Sequence, residues 1–113
     1  MTAYSASKAA LDSFILCLRE QLRETNVNLI HISPPLVQTE IHDHEMGPEV
    51  GRKMGIPVTD FANDTWAEMS QGKQNIIIGS IGASTKEQFM EIVERREAAY
   101  DRLCSLIRSL HKR

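Results

Sequence analysis

At 113 residues, with 13 basic and 15 acidic side chains and a net charge of −2, the chain holds at most one small domain. No stretch is basic enough to suggest nucleic acid, and the longest apolar run, Asn75 to Gly79, is far too short to span a membrane. No charged segment followed by an apolar one marks a secretory leader, and the two cysteines, Cys17 and Cys104, lie far apart in helical patterns, so they read as reduced thiols of a cytoplasmic protein.

The first element expected is a helix from about Ala3 to Glu24. Its alanines favour the conformation, and Asn26 sits near a plausible stop. Residues four apart share a helix face, which puts Tyr4 and Lys8 together, in line with Leu11, Ile15, Leu18 and Leu22. The opposite face is small: Ala6, Ala10, Ser13 and Cys17 would let a neighbouring helix or a partner subunit approach closely.

Val27 to Ser33 reads as a strand, apolar enough to be covered on both faces, and Pro34-Pro35 ends it. His31 within it reads as a packed or bonded core histidine. The stretch from Ile41 to Pro57 has no clear period and reads as a loop with at most one short helix. His42-Asp43-His44-Glu45 has a metal-like composition. No further ligands follow at zinc-like spacing, however, so it reads as a solvated loop.

Thr59 to Gln71 is the next helix, with Thr59 or Asp60 as cap and Phe61, Trp66 and Met69 as apolar contacts. Gly72-Lys73 turns into a strand from Asn75 to Gly79. Both strands are short and apolar and are separated by helix, so parallel pairing is expected. Thr85-Lys86-Glu87-Gln88 suggests the cap of a long helix running to about His111. Its stripe is Phe89, Val93, Tyr100, Leu103, Ile107 and Leu110, interrupted by Arg96. Docking of that stripe on its own domain is favoured over a dimer zipper.

The ordered set is Tyr4-x-x-x-Lys8 on a helix, then a strand, then Pro34-Pro35-Leu36-Val37-Gln38-Thr39. It resembles the second half of a short-chain dehydrogenase/reductase, where Tyr-x-x-x-Lys precedes a strand and a Pro-Gly-x-Val-x-Thr segment beside the nicotinamide. The match is specific from Ala3 to about Thr39 and looser to Gly79. Pro35 stands where the family usually has Gly, which removes one backbone donor.

The resemblance implies an α/β fold: a partial Rossmann-like, doubly wound parallel sheet with a long C-terminal helix. It divides the chain into a catalytic helix (3–25), a strand and nicotinamide-side loop (27–39), a substrate-side loop and helix (40–72), a strand (75–79) and a C-terminal helix (85–111). It implies NAD or NADP as cofactor and a small carbonyl or alcohol as substrate.

Tyr4 would be the general acid/base. A free phenol is a poor base at neutral pH, and a nearby cation favours its charged form, which is the part assigned to Lys8. Lys8 would also hold the ribose hydroxyls. The backbone of Val37 would bond the carboxamide, with Pro34 and Thr39 completing the cofactor side. The first helix and the C-terminal helix are the candidate surfaces for a homo-oligomer.

The family's Gly-rich phosphate loop, ribose selector and active-site Ser do not occur in this sequence. The expectation is therefore a truncated product, an incomplete gene model or a remnant, with little turnover by itself. The competing expectation is a non-catalytic interaction protein that uses those two helices.

Overall fold

The computed structural model describes residues 1–35, 55–80 and 83–111. Helix α1 (Thr2–Gln21) is followed by strand β1 (His31–Ser33), helix α2 (Val58–Ser70), strand β2 (Asn75–Ile77) and helix α3 (Lys86–His111). These elements form two compact units. One holds residues 1–29 and 91–113, and the other holds residues 30–90.

In the unit of residues 30–90, β1 and β2 pair in parallel, with His31 opposite Asn75, Ile32 opposite Ile76 and Ser33 opposite Ile77. The parallel pairing expected from the two apolar runs is what forms. The ladder continues at both ends through His31 N–H to the Gln74 carbonyl (2.8 Å) and Ile78 N–H to the Ser33 carbonyl (3.3 Å).

Ile76, Ile77 and Ile78 are all buried, so both faces of β2 are covered, as suits a parallel strand. Both strands are shorter than the sequence suggests. Val27 and Ile30 are exposed rather than part of β1, and β2 stops before Gly79, which adopts a positive φ of 76°. That glycine is required by space as well as by backbone. A Cβ at position 79 would stand 3.0 Å from Cγ of Pro35, the second proline after β1.

Helix α2 begins directly after Pro57, whose carbonyl accepts the Phe61 N–H at 3.1 Å. The expected caps, Thr59 and Asp60, lie inside its first turn instead and make no capping bond. Asp60 there still favours the helix by facing the positive end of its dipole. Trp66 is exposed, while Phe61 and Met69 are half-buried beside the buried Thr65 and Glu68.

Gly72, at φ 79°, ends the helix in the left-handed conformation. Glu68 Oε1 receives Lys73 Nζ at 3.4 Å and pairs with Lys86 Nζ at the start of α3. Burial pushes the Glu68 carboxyl up. Hydrogen bonds and charge from Lys86 and Lys73 outweigh that and hold it below the usual carboxylate range.

The start of α3 is the capping box its sequence announces. Gln88 N–H donates to Thr85 Oγ1 (3.2 Å), and Thr85 N–H donates back to Gln88 Oε1 (2.8 Å). These bonds satisfy donors that an open helix end would leave unpaired.

In the other unit, α1 and the body of α3 are joined by polar pairs. Arg96 donates to Ser13 Oγ (2.5 Å), Tyr100 to Cys17 Sγ (3.2 Å), and Arg108 pairs with Glu20. The partners Ser13–Arg96 and Cys17–Tyr100 advance together by four residues, so the two helices run in the same direction here. The small face of α1 is therefore the one that α3 meets.

The stripe expected on α3 is phased differently. Its expected members Phe89, Val93 and Tyr100 are half-buried, but beyond them the buried and half-buried positions are Cys104 and Arg108, while Leu103, Ile107 and Leu110 are exposed. The reason lies in α1, which presents Ser13, Cys17 and Glu20. Those groups draw in the polar and aromatic side chains of α3 rather than its leucines.

Candidate active site

The first two turns of α1 carry the candidate chemistry. Ser5 N–H bonds the Met1 carbonyl at 2.8 Å, so the helical path begins at the first residues, and Ser7 Oγ donates to the Tyr4 carbonyl at 2.7 Å. The i, i+4 spacing puts Lys8 over the Tyr4 ring, with its Nζ 5.4 Å from the ring centroid. That is within cation–π range and keeps a positive charge beside the phenol. Tyr4 is 60% exposed, so its hydroxyl is open to a ligand. The stripe behind it sinks inward along the helix, from exposed Leu11 to buried Ile15.

Pro34 and Pro35 follow β1 in the unit of residues 30–90. Pro34 is exposed and Pro35 is half-buried against Gly79. Val37, Thr39 and the cluster His42 to Glu45 lie outside the described residues. Among the described residues, no group of three or more His, Cys, Asp or Glu side chains could hold a metal ion, and no helix is long and apolar enough to cross a membrane.

The donor set at Tyr4 and Lys8 fits one end of a nicotinamide nucleotide. An ammonium offers three donors to ribose hydroxyls, and the neighbouring phenol both donates and accepts.

The comparisons with known proteins address this segment. Residues 1–48 match the family model for short chain dehydrogenase, a stretch that contains Tyr4, Lys8, Pro34, Val37 and Thr39. These 48 residues belong to the short-chain dehydrogenase family.

The chain is 34% identical over 100 residues to the uncharacterized oxidoreductase DltE of Bacillus subtilis, a stretch covering 88% of this chain and 36% of that protein. It is 36% identical over 64 residues to an L-xylulose reductase of Caenorhabditis elegans, covering 54% of this chain and 26% of that one. The chain thus spans about a third of the first relative's length and about a quarter of the second's. No solved structure matches it significantly.

One cluster escapes a reading of the sequence. Tyr100 stands between Cys17, whose Sγ accepts its hydroxyl at 3.2 Å, and Cys104, one turn further along the inward face of α3. The Cys17 bond foremost, then burial and Cys104, push this phenol well above its ordinary range and keep it neutral. The only sequence signal was the i, i+4 spacing of Tyr100 and Cys104. The third member comes from a helix more than eighty residues earlier in the chain.

Proposed function

We propose that Tyr4 and Lys8 are the acid–base pair of an NAD- or NADP-dependent oxidoreductase that interconverts an alcohol and a carbonyl. The observation that carries this reading is the Lys8 ammonium held 5.4 Å from an exposed Tyr4 ring, inside the segment that matches the dehydrogenase family. Both named relatives being an oxidoreductase and a reductase also supports it.

In reduction, Tyr4 Oη gives its proton to the carbonyl oxygen. In oxidation it takes the proton from the hydroxyl. Lys8 sets a positive charge where negative charge develops on the phenol oxygen as that proton leaves, and its remaining donors hold the ribose hydroxyls. Pro34, the Val37 backbone and Thr39 complete the cofactor side. The nicotinamide, when bound, supplies or accepts the hydride.

The test is an NMR titration with NADH and with NADPH, using chain labelled in its tyrosine rings and lysine side chains. Shifts concentrated at Tyr4 and Lys8, and lost on Lys8→Ala, are the expected result. Saturable binding that moves neither residue would sink the proposal.

A further inference from the structure

The thiol pair at Tyr100 belongs to neither the Tyr4/Lys8 chemistry nor the sheet. Cys17 is exposed on α1, in a shallow groove lined by Ser13, Leu16, Arg96, Ala99 and Leu103. Cys104, one helical turn beyond Tyr100 on α3, is 7% exposed. Residues four apart on one face stand about 6 Å apart. Tyr100, whose hydroxyl lies 3.2 Å from Cys17 Sγ, thus neighbours an accessible sulfur across the helices and a sheltered one a turn along its own.

We propose that Cys17 and Cys104 are an oxidation-sensitive dithiol, closed to a disulfide by hydrogen peroxide, that clasps α1 to α3. The order of events follows from exposure. The Cys17 sulfur, reached through the groove, attacks one peroxide oxygen. The O–O bond breaks, a sulfenic acid forms on Cys17, and the departing hydroxide takes the thiol proton and leaves as water.

Tyr100 then swings aside and the Cys104 sulfur attacks the Cys17 sulfur. The S–S bond forms, the S–O bond breaks, and the hydroxide leaves as a second water with the Cys104 proton. Two thiols lose two electrons in all and one peroxide gains them. The clasp ties down the helix that carries Tyr4 and Lys8. A thiol reductant reopens it.

The test uses the full chain, reduced and freed of reductant, then exposed to a small molar excess of hydrogen peroxide. Free thiols, intact mass and the proteolytic map are followed. Both thiols of the chain should disappear together, with the monomer lighter by two hydrogens, the Cys17 and Cys104 peptides joined, and full reversal by dithiothreitol. In Cys104→Ser, the reaction should stop at a sulfenic acid on Cys17 that dimedone traps. In Cys17→Ser, the Cys104 thiol should survive. Oxygen added at Cys17 with Cys104 still free, a Cys17-to-Cys17 link between two chains, or Cys104 oxidising at the wild-type rate without Cys17 would each overturn the proposal.

Discussion

Arg19 holds Glu97 at 2.9 Å through one guanidinium nitrogen while its other two nitrogens bond the Leu29 carbonyl, at 3.2 and 2.9 Å. One side chain thus ties the end of α1 to α3 and to the segment leading into β1. The guanidinium suits this because its planar fork presents several donors in fixed directions. The Arg19 side chain is only 18% exposed and that of Glu97 27%. Losing it removes one ion-pair partner of a shielded carboxylate and both of these bonds to the Leu29 carbonyl.

Arg19→Ala should therefore destabilise the fold by roughly 2 kcal/mol, more than an exposed ion pair would. Urea denaturation reads this directly. Arg23→Ala is the control. Its own side chain is 45% exposed and Glu20 keeps Arg108 as a partner, so it should cost under about 0.5 kcal/mol. Equal midpoints for the two variants would show that the Arg19 bonds contribute nothing net.

The two ordered glycines that flank β2 make a matched pair. Gly72 and Gly79 share nearly the same φ, at 79° and 76°. A Cβ at Gly72 meets nothing within 4 Å, whereas one at Gly79 meets Pro35 at 3.0 Å. Ala at either site incurs the left-handed backbone penalty of about 1 kcal/mol. Only Gly79→Ala adds a clash with a rigid ring, so it should lose at least about 1 kcal/mol more than Gly72→Ala. A Gly79→Ala/Pro35→Ala double variant should recover that excess in thermal unfolding.

Much of this architecture was legible because it is local. The 3.6-residue period of α1, the Thr85/Gln88 box and the two isoleucine-rich runs each carry their signal within a few neighbouring residues. The approach of Lys8 to the Tyr4 ring was legible for the same reason, since the two are one turn apart. What escaped is what distant residues decide. Nothing near Glu68 announces that Lys86 will pair with it. The phase of α3 depends on Ser13, Cys17 and Glu20, and the strands end where the partner's ladder ends rather than where apolar residues do. Val37 and Thr39 were assigned from the family pattern alone.

Glu68 gives the pH dependence its sign. Its folded-state carboxyl lies below the ordinary value of 4.5, with Lys86 and Lys73 outweighing the effect of burial. A group depressed on folding contributes stability that is fully present above its unfolded pKa. That stability is lost as pH falls through the folded one. Unfolding free energy should thus be level through neutral pH and decline below about pH 4.5. Glu68→Gln should be less stable at neutral pH, because two lysines lose their counter-charge, and its curve should fall less steeply in acid. Parallel acid limbs for the two proteins would remove Glu68 from the account. Chemical denaturation between neutral and acidic pH decides it.

Tyr4 and Lys8 should separate when binding and chemistry are read apart. The phenol is proposed to carry the proton, and the ammonium is proposed to serve both the phenol and the ribose. Removing the hydroxyl while keeping the ring leaves the Lys8 contact over an aromatic face, so nicotinamide affinity should change by less than about threefold in Tyr4→Phe. With the chain joined to a relative's nucleotide-binding first half, carbonyl reduction at saturating nicotinamide should fall by about 10²-fold or more in Tyr4→Phe, because general acid catalysis of that size is lost. Lys8→Ala should weaken nicotinamide binding as well as turnover, and Lys8→Arg should recover binding better than rate, since a guanidinium keeps charge and donors but not the ammonium's geometry. Fluorescence titration and steady-state rates on the same samples give the two readings. If Tyr4→Phe keeps the wild-type rate, the proton passes through another group and the assignment of Tyr4 fails.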